Sequence, residues 1–503
     1  MSKDIISLKH ILGLKIRDLR LEKRLSFQEV ADKSGLSISY LSEIEKGKKY
    51  PKGDKILQLS EALDTSYDDL VSLKVSKRIQ PVVDLLRSDF FKEFPLELFG
   101  LDPQKLIDLV SVSPEKINSF ITSIALISRN YEVNREHFYY AALRSYQEMH
   151  DNYFPEIEKE VKALRKLHPK LQKNLISRSV LISILEDDFR ISVDFEGLSG
   201  FSALKNLRSY LSGTNLLIGN NLTEAQECFL ISREIGFQLL KLKERPEETP
   251  PQKSYPFDYI LNNYKASYFA AALLMPEHEV VSDVRKFANL PKWNAKALLS
   301  FTKKYRATPE MLMQRLTNLL PTYFGIKNLF FLRFVGTDDF SDFVLTKELH
   351  LSGIHNPHAN ALNEHYCRRW ISIGLIKELR SNWRLKGTNE LIAAAQISRY
   401  HDTPNEYLCL TIAFPNVSNP SESMSVTIGV FIDKPLKKKI RFLTDKEITV
   451  KEVNTTCERC SIANCGDRIA PPIHIEKERR DSEIIEALEK LKNHKPVSQL
   501  PMD

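Results

Sequence analysis

Apolar residues recur at helical spacing from the start of the chain. Ile11, Leu12, Ile16 and Leu19 share one face of a helix predicted over 8–24. A shorter helix follows, with Phe27, Val30 and Ala31 on one side. Ser26 and Glu29 have the spacing of a capping box at its start. Gly35 marks a sharp turn where a residue without Cβ tolerates positive φ. Ser37 caps the next helix, whose buried stripe is Leu41 and Ile44. Two closing helices are predicted over 53–73 around Leu59, Leu63 and Leu70, with a break at Thr65 or Ser66. The second helix of the tight pair leaves Ser37, Ser39, Tyr40, Ser42 and Glu43 exposed at its start, and Lys46, Lys48 and Lys49 follow.

This is the layout of a helix-turn-helix, whose second helix enters the DNA major groove with its first side chains at base edges. Charge agrees. Residues 1–55 hold 13 Lys/Arg against 8 Asp/Glu, most of the chain's net +7, which favours phosphates. Gln28, Ala31, Gly35-Leu36-Ser37, Tyr40-Leu41-Ser42, Ile44-Glu45-Lys46-Gly47 and Pro51 together resemble the Cro/lambda-repressor (XRE) type of DNA-binding domain. On this reading Ser37, Ser39, Tyr40 and Glu43 face bases, with Ser42 and Lys48 alongside. Arg17, Gln28 and Lys46 contact phosphates, and Lys15 and Arg20 also reach the DNA backbone.

Further along, the pattern divides the chain into 8–74 (helix-turn-helix), 75–169 (helical linker and dimerisation region), 170–325, 326–475 and 476–503 (C-terminal helix and tail). Ser113-Pro114-Glu115 is a helix start, and a long helix over 134–166 is kinked or interrupted at Pro155. Two short strands are expected from Ser179-Val-Leu-Ile-Ser-Ile-Leu and Arg190-Ile-Ser-Val-Asp-Phe, and a third from Asn215-Leu-Leu-Ile. A helix over 223–243 then presents Ala225, Cys228, Phe229, Ile235 and Leu239 on one face.

Strands, this helix, and then Lys265-Ala-Ser-Tyr-Phe-Ala-Ala-Ala resemble the ImmA/IrrE-type metallopeptidase fold. In that family the helix carries His-Glu-x-x-His, whose histidines hold zinc while the glutamate serves as general base. The corresponding run here is Arg233-Glu234-Ile235-Gly236-Phe237, and Lys265 stands where the resemblance puts the third ligand. Only Glu234 survives, and a carboxylate without a metal does not run this chemistry. The expectation is therefore no enzyme activity. A divergent peptidase with a DNA-targeting head is the alternative.

Residues 329–350 alternate as a strand pair. Segments 389–400, 406–414, 423–432 and 439–443 predict an antiparallel sheet, read as a PAS/GAF-like α+β sensor domain. The fold class expected is multidomain, mainly α with α+β.

No apolar run reaches the roughly 18 residues of a membrane span, and the N-terminus is too polar for a secretory signal. The protein is expected in the cytoplasm, without membrane partners. With six cysteines in 503 residues, clustering points to metal or redox chemistry before disulfides. Cys457-Glu-Arg-Cys460-Ser-Ile-Ala-Asn-Cys465 sets three thiols in one loop, a soft site suited to zinc or an iron–sulfur cluster. Cys367, in Cys367-Arg-Arg-Trp370, is the expected fourth ligand, with His355, His358 and His365 as substitutes. Cys228 and Cys409 read as buried packing residues.

The helix-turn-helix head, the metal-less middle, the Cys-x-x-Trp segment and the Cys-x-x-Cys-x4-Cys loop with Arg468 and Pro471-Pro472 together resemble the short-chain fatty acyl transcriptional regulators. The family's usual Cys-Pro-Leu-Trp is Cys-Arg-Arg-Trp here. The resemblance implies control of short-chain acyl metabolism, a coenzyme A or acyl-CoA effector, and iron–sulfur rather than zinc at Cys367, Cys457, Cys460 and Cys465. The expected partners are a double-stranded DNA operator, a small-molecule effector and a second copy in a homodimer.

Overall fold

A computed structural model describes residues 8–75, 135–172, 175–253, 255–337, 342–351, 364–387, 390–417 and 419–493. The helix start at Ser113 and the histidines 355 and 358 lie outside them. The chain divides into two units, 1–146 with 253–261, and 147–252 with 262–503.

The first unit opens with five helices, α1 (Leu8–Glu22), α2 (Phe27–Ser34), α3 (Ile38–Glu45), α4 (Gly53–Ala62) and α5 (Tyr67–Val71). They close on a core that includes Leu12, Ile16, Val30, Leu41, Ile44 and Leu59. The capping box of Ser26 and Glu29 is formed, and Gly35 ends α2 in the left-handed region at φ 67°. Gly13 lets α1 touch α3, because a Cβ there would stand 2.4 Å from the Ile44 carbonyl oxygen. Two expectations are corrected. Lys15 and Arg20 are buried and do not reach outward to DNA. Lys15 Nζ donates to the Asp69 and Ser72 carbonyls at 2.6 and 2.5 Å, finishing α5. Arg20 pairs with Glu45.

Beyond the head come α6 (Arg135–Met149), α7 (Pro155–Leu167) and α8 (Arg178–Phe189). Pro155 interrupts the predicted long helix by starting α7 at its first turn. Helix α8 replaces the strand expected from the Val-Leu-Ile-Ser-Ile-Leu run. Leu181, Ile184 and Leu185 are buried at helical spacing, so packing against the following long helix overrides the β-branched preference.

A small sheet has the order β1-β3-β2-β4, from β1 (Ser192–Asp194), β2 (Ser209–Ser212), β3 (Asn215–Ile218) and β4 (Glu248–Thr249). Only the β1–β3 pairing is parallel. Helices α9 (Glu224–Leu239), α10 (Phe257–Leu274), α11 (Glu277–Ala288), α12 (Ala295–Lys304) and α13 (Pro309–Phe324) complete the middle. Its charged centre joins three helices. Arg315 on α13 donates to both Glu158 oxygens on α7 at 2.6 and 3.1 Å, and Tyr268 on α10 adds its hydroxyl at 2.7 Å.

The second sheet runs β10-β7-β8-β9-β5-β6, built from β5 (Leu329–Thr337), β6 (Phe343–His350), β7 (Ile392–Tyr400), β8 (Glu406–Pro415), β9 (Glu422–Phe431) and β10 (Thr449–Val453). Helix α14 (Ile371–Lys386) packs on β7, β8, β9 and β5. Alternation sends Phe330, Leu332 and Phe334 into one core with Trp370, Ile373, Ile376 and Cys409. Gly429 makes room for Phe330, since a Cβ would meet its ring at 2.0 Å. The strand expected over 439–443 is absent. A short helix α15 (Lys434–Lys439) and a 3-10 turn over Arg441–Thr444 stand there. Phe442 and Leu443 are both buried, with Phe442 against Phe287 and Trp293. Consecutive inward side chains contradict a strand's alternation. The edge strand is β10, parallel to β7. The last helix is α16 (Ile473–Asn493).

Candidate nucleic-acid interface and cysteine site

Helix α3 is held from behind by a buried charge pair. Arg20 Nε and Nη2 donate to Glu45 Oε1 and Oε2 at 2.7 and 2.9 Å, and Nη1 reaches the Leu25 carbonyl at 3.1 Å. The guanidinium also lies 4.1 Å from the Phe27 ring centre. The end of α1, the start of α2 and the end of α3 are thereby fixed together. The head's surface carries the expected residues. Ser37, Ser39, Gln28, Lys46 and Lys48 are exposed, while Arg17, Tyr40, Ser42 and Glu43 are half-buried. Several already have work within the head. Ser37 Oγ caps α3 by accepting from the Tyr40 N–H at 3.2 Å. Gln28 Nε2 donates to Asp32 at 2.7 Å. Lys49 pairs with Glu43 at 2.8 Å and lies over the Tyr40 ring.

The structure brings Cys367, Cys457, Cys460 and Cys465 to one small cavity, lined also by Arg368, Arg369 and Arg468. A short antiparallel bridge does this. Tyr366 pairs with Thr456, the Cys367 N–H donates to Thr455 O, and the Cys457 N–H to His365 O. Trp370 Nε1 donates to Asn454 O at 2.9 Å. Arg468 then ties the loop from inside, donating to the carbonyls of Cys457, Cys460 and Ile462 at 2.8, 3.0 and 2.7 Å. Burial, with Cys457 and Cys460 adding to it, pushes the Cys367 thiol up to about 11 against nearby backbone N–H groups. Among the described residues no three His, Cys, Asp or Glu side chains stand placed to hold one metal ion, so the four thiols share a lining without closing on a single centre. His365 is turned away, its Nδ1 2.6 Å from Glu458. Cys228 and Cys409 are buried elsewhere.

The role of Arg468 predicts an accessible result. Replacing it with alanine removes the side-chain donor from three carbonyls, of which only that of Cys457 keeps a second bond, from the Cys460 N–H; each carbonyl left unsatisfied costs about 1–3 kcal/mol. Maleimide labelling of Cys457 and Cys460, both buried, should then speed up at least about tenfold through local opening. An unchanged labelling rate would show that the loop holds itself.

On α9 the Glu234 carboxylate is neutralised. Arg245 donates to both Glu234 oxygens at 2.7 and 2.8 Å, and Gln238 adds a third bond. Phe237 lies under Arg245, its ring centre 4.3 Å away. Sequence reasoning did not find Arg245 or the Arg20–Glu45 pair. Both charges are far apart in sequence, and nothing local marks them as partners.

Comparison with known proteins fits this geometry. A helix-turn-helix family model matches residues 16–70, and an IrrE N-terminal-like domain matches 190–317, as the residues around Glu234 led one to expect. The HTH-type transcriptional regulator y4dJ of Sinorhizobium fredii is 34% identical over 67 residues, covering 13% of this chain and 87% of that protein. A solved structure described as a Mycobacterium tuberculosis transcriptional regulator aligns with TM-score 0.46 at 15% identity, over 66% of this chain and 94% of that one. No helix among the described residues is long and apolar enough to cross a membrane.

Proposed function

Since the chain belongs to the helix-turn-helix transcriptional regulators, we propose that its head reads an operator sequence while its body senses a small-molecule effector. The observation that carries this is α3, clamped by Arg20–Glu45 with Ser39 and Lys48 exposed at its two ends. A homodimer would set two such helices about 34–36 Å apart in successive major grooves. An effector that binds one arrangement of the body better than another shifts that spacing. An acyl-CoA or coenzyme A is the effector proposed, acting on short-chain acyl metabolism. The peptidase-like domain acts as scaffold rather than enzyme, because its one surviving catalytic carboxylate is spent on Arg245.

The group proposed at the four thiols and the arginines around them is an iron–sulfur cluster, whose ligands spread over several irons; zinc, the alternative, would need the thiols to draw in on one ion. Sulfur donors match soft metals, and guanidinium groups offset thiolate charge. Cys367, Cys457, Cys460 and Cys465 would be the ligands. Such a group, when bound, supplies redox sensitivity. The chain's own part is to hold the loop through Arg468 and the Cys367–Thr455 bridge.

Two measurements test the reading. Protein purified without oxygen should be brown and contain iron and sulfide, with both lost in Cys457→Ala and Cys367→Ala. Colourless protein without iron or zinc would end the cluster proposal. In gel shifts, Arg17→Ala should weaken binding to all sequences and reduce the salt slope by about 1, while Ser39→Ala should alter sequence preference. Equal effects on every DNA would overturn the base-facing assignment. No change of DNA affinity or melting temperature with coenzyme A esters would remove the effector.

A further inference from the structure

Helix α9 holds a guanidinium that forms no ion pair with a carboxylate among the described residues. Arg233 is half-buried, facing the β2–β4 edge and α10. Its Nη atoms donate to Asn263 Oδ1 and Ser209 Oγ, each at 3.4 Å, and to Thr249 Oγ1. All three acceptors are neutral, and two of the bonds are long. Nε is buried without a hydrogen-bond partner. Glu234, next in sequence, has both oxygens taken by Arg245. Among the described residues no carboxylate forms an ion pair with Arg233. Burial lowers its pKa to about 10; Glu234 opposes this, and the charges of Arg245 and Arg208 add to it.

A charge partly withdrawn from water without a carboxylate partner is costly. A neutral amide and a neutral hydroxyl at 3.4 Å recover little of that cost. The local field repels a metal cation and draws an anion. A guanidinium fork fits an oxyanion, offering two parallel N–H donors to two oxygens.

We propose that Arg233 is the centre of an oxyanion-binding site, taking a phosphate or carboxylate group of a ligand, with Arg208 adding attraction from the exposed side. The site belongs to the peptidase-like domain. It requires neither a cluster at the cysteines nor any particular operator, so its failure would leave the regulator reading intact.

The test is thermal unfolding of the full chain against inorganic phosphate, with acetate as the carboxylate arm and sodium chloride at matched ionic strength as control. Phosphate or acetate should raise the melting temperature saturably, beyond the chloride control, and the more effective anion identifies the group. Arg233→Gln should abolish the rise. Arg233→Lys keeps the charge without the fork, and should move the midpoint at least tenfold higher. Without anion, Arg233→Gln should melt no lower than the natural protein, since the uncompensated charge is gone. If Arg233→Gln does not fold, the Arg233→Lys midpoint decides. A rise no greater than with chloride, or one that both variants keep unchanged, overturns the proposal.

Discussion

Arg20→Ala is expected to unfold the N-terminal head and abolish DNA binding, although Arg20 is itself buried. Arg20 is 7% exposed and Glu45 is 5% exposed, so removing either leaves a buried charge without its partner. That costs about 3–5 kcal/mol, a large fraction of the 5–15 kcal/mol or so that holds a typical domain folded. The loss extends past the pair, because the same guanidinium fixes the Leu25 carbonyl and packs on Phe27. Lys23→Ala is the control. Its ion pair with Asp64 is exposed on the carboxylate side and should matter by about 1 kcal/mol or less. Circular dichroism melting of the full chain, paired with gel shifts, reads both. The double change Arg20→Met with Glu45→Leu should recover most of the stability, since an apolar replacement removes both desolvated charges. If the two single losses simply added in the double variant, the pair would not be coupled and the clamp would be a packing effect alone.

Arg315→Met should destabilise the body by a similar amount, about 3–5 kcal/mol. Arg315 is fully buried and Glu158 is 3% exposed. Besides the fork onto Glu158, its Nε donates to the Met275 carbonyl at 3.0 Å, just past the end of α10. Three helices, α7, α10 and α13, meet at this one guanidinium. Glu158→Gln keeps the shape while removing the countercharge, so it should also destabilise, with Tyr268 retaining its bond to the amide oxygen. Chemical denaturation followed by tryptophan fluorescence would report the midpoint, since Trp293 and Trp370 lie in the same unit. A midpoint unmoved in both variants would mean that solvent relaxes into the site and screens the charge.

Elements with a strong period and clear caps were legible. The head shows this most plainly, where Ser26, Glu29, Gly35 and Ser37 each do locally what their chemistry favours. The strand pair around 329–350 and the three central strands of the large sheet follow from alternation. Errors arose where two signals competed. The β-branched run before Leu185 carries strand-like composition and helical spacing at once, and the neighbouring helix chose between them. At 439–443 an alternating pattern was outweighed by two consecutive side chains that both find partners inside.

Candidate sites divided in the same way. Cys457, Cys460 and Cys465 announce themselves because they share a loop. Cys367 lies about ninety residues earlier, and the Tyr366–Thr456 bridge is what brings it to the same cavity. Lys15 and Arg20 looked like DNA contacts because sequence shows a charge without showing whether it is buried.

The sequence by itself determined the helix-turn-helix, the absence of a His-Glu-x-x-His run and the clustering of three thiols, because each depends on residues within a turn or a loop of one another. Tertiary structure alone decided which charges face water. It paired Arg20 with Glu45, Arg315 with Glu158 and Arg245 with Glu234, and among the described residues it left Arg233 without a carboxylate partner. These outcomes depend on the desolvation and distance of groups 11 to 157 residues apart, and no local pattern encodes that.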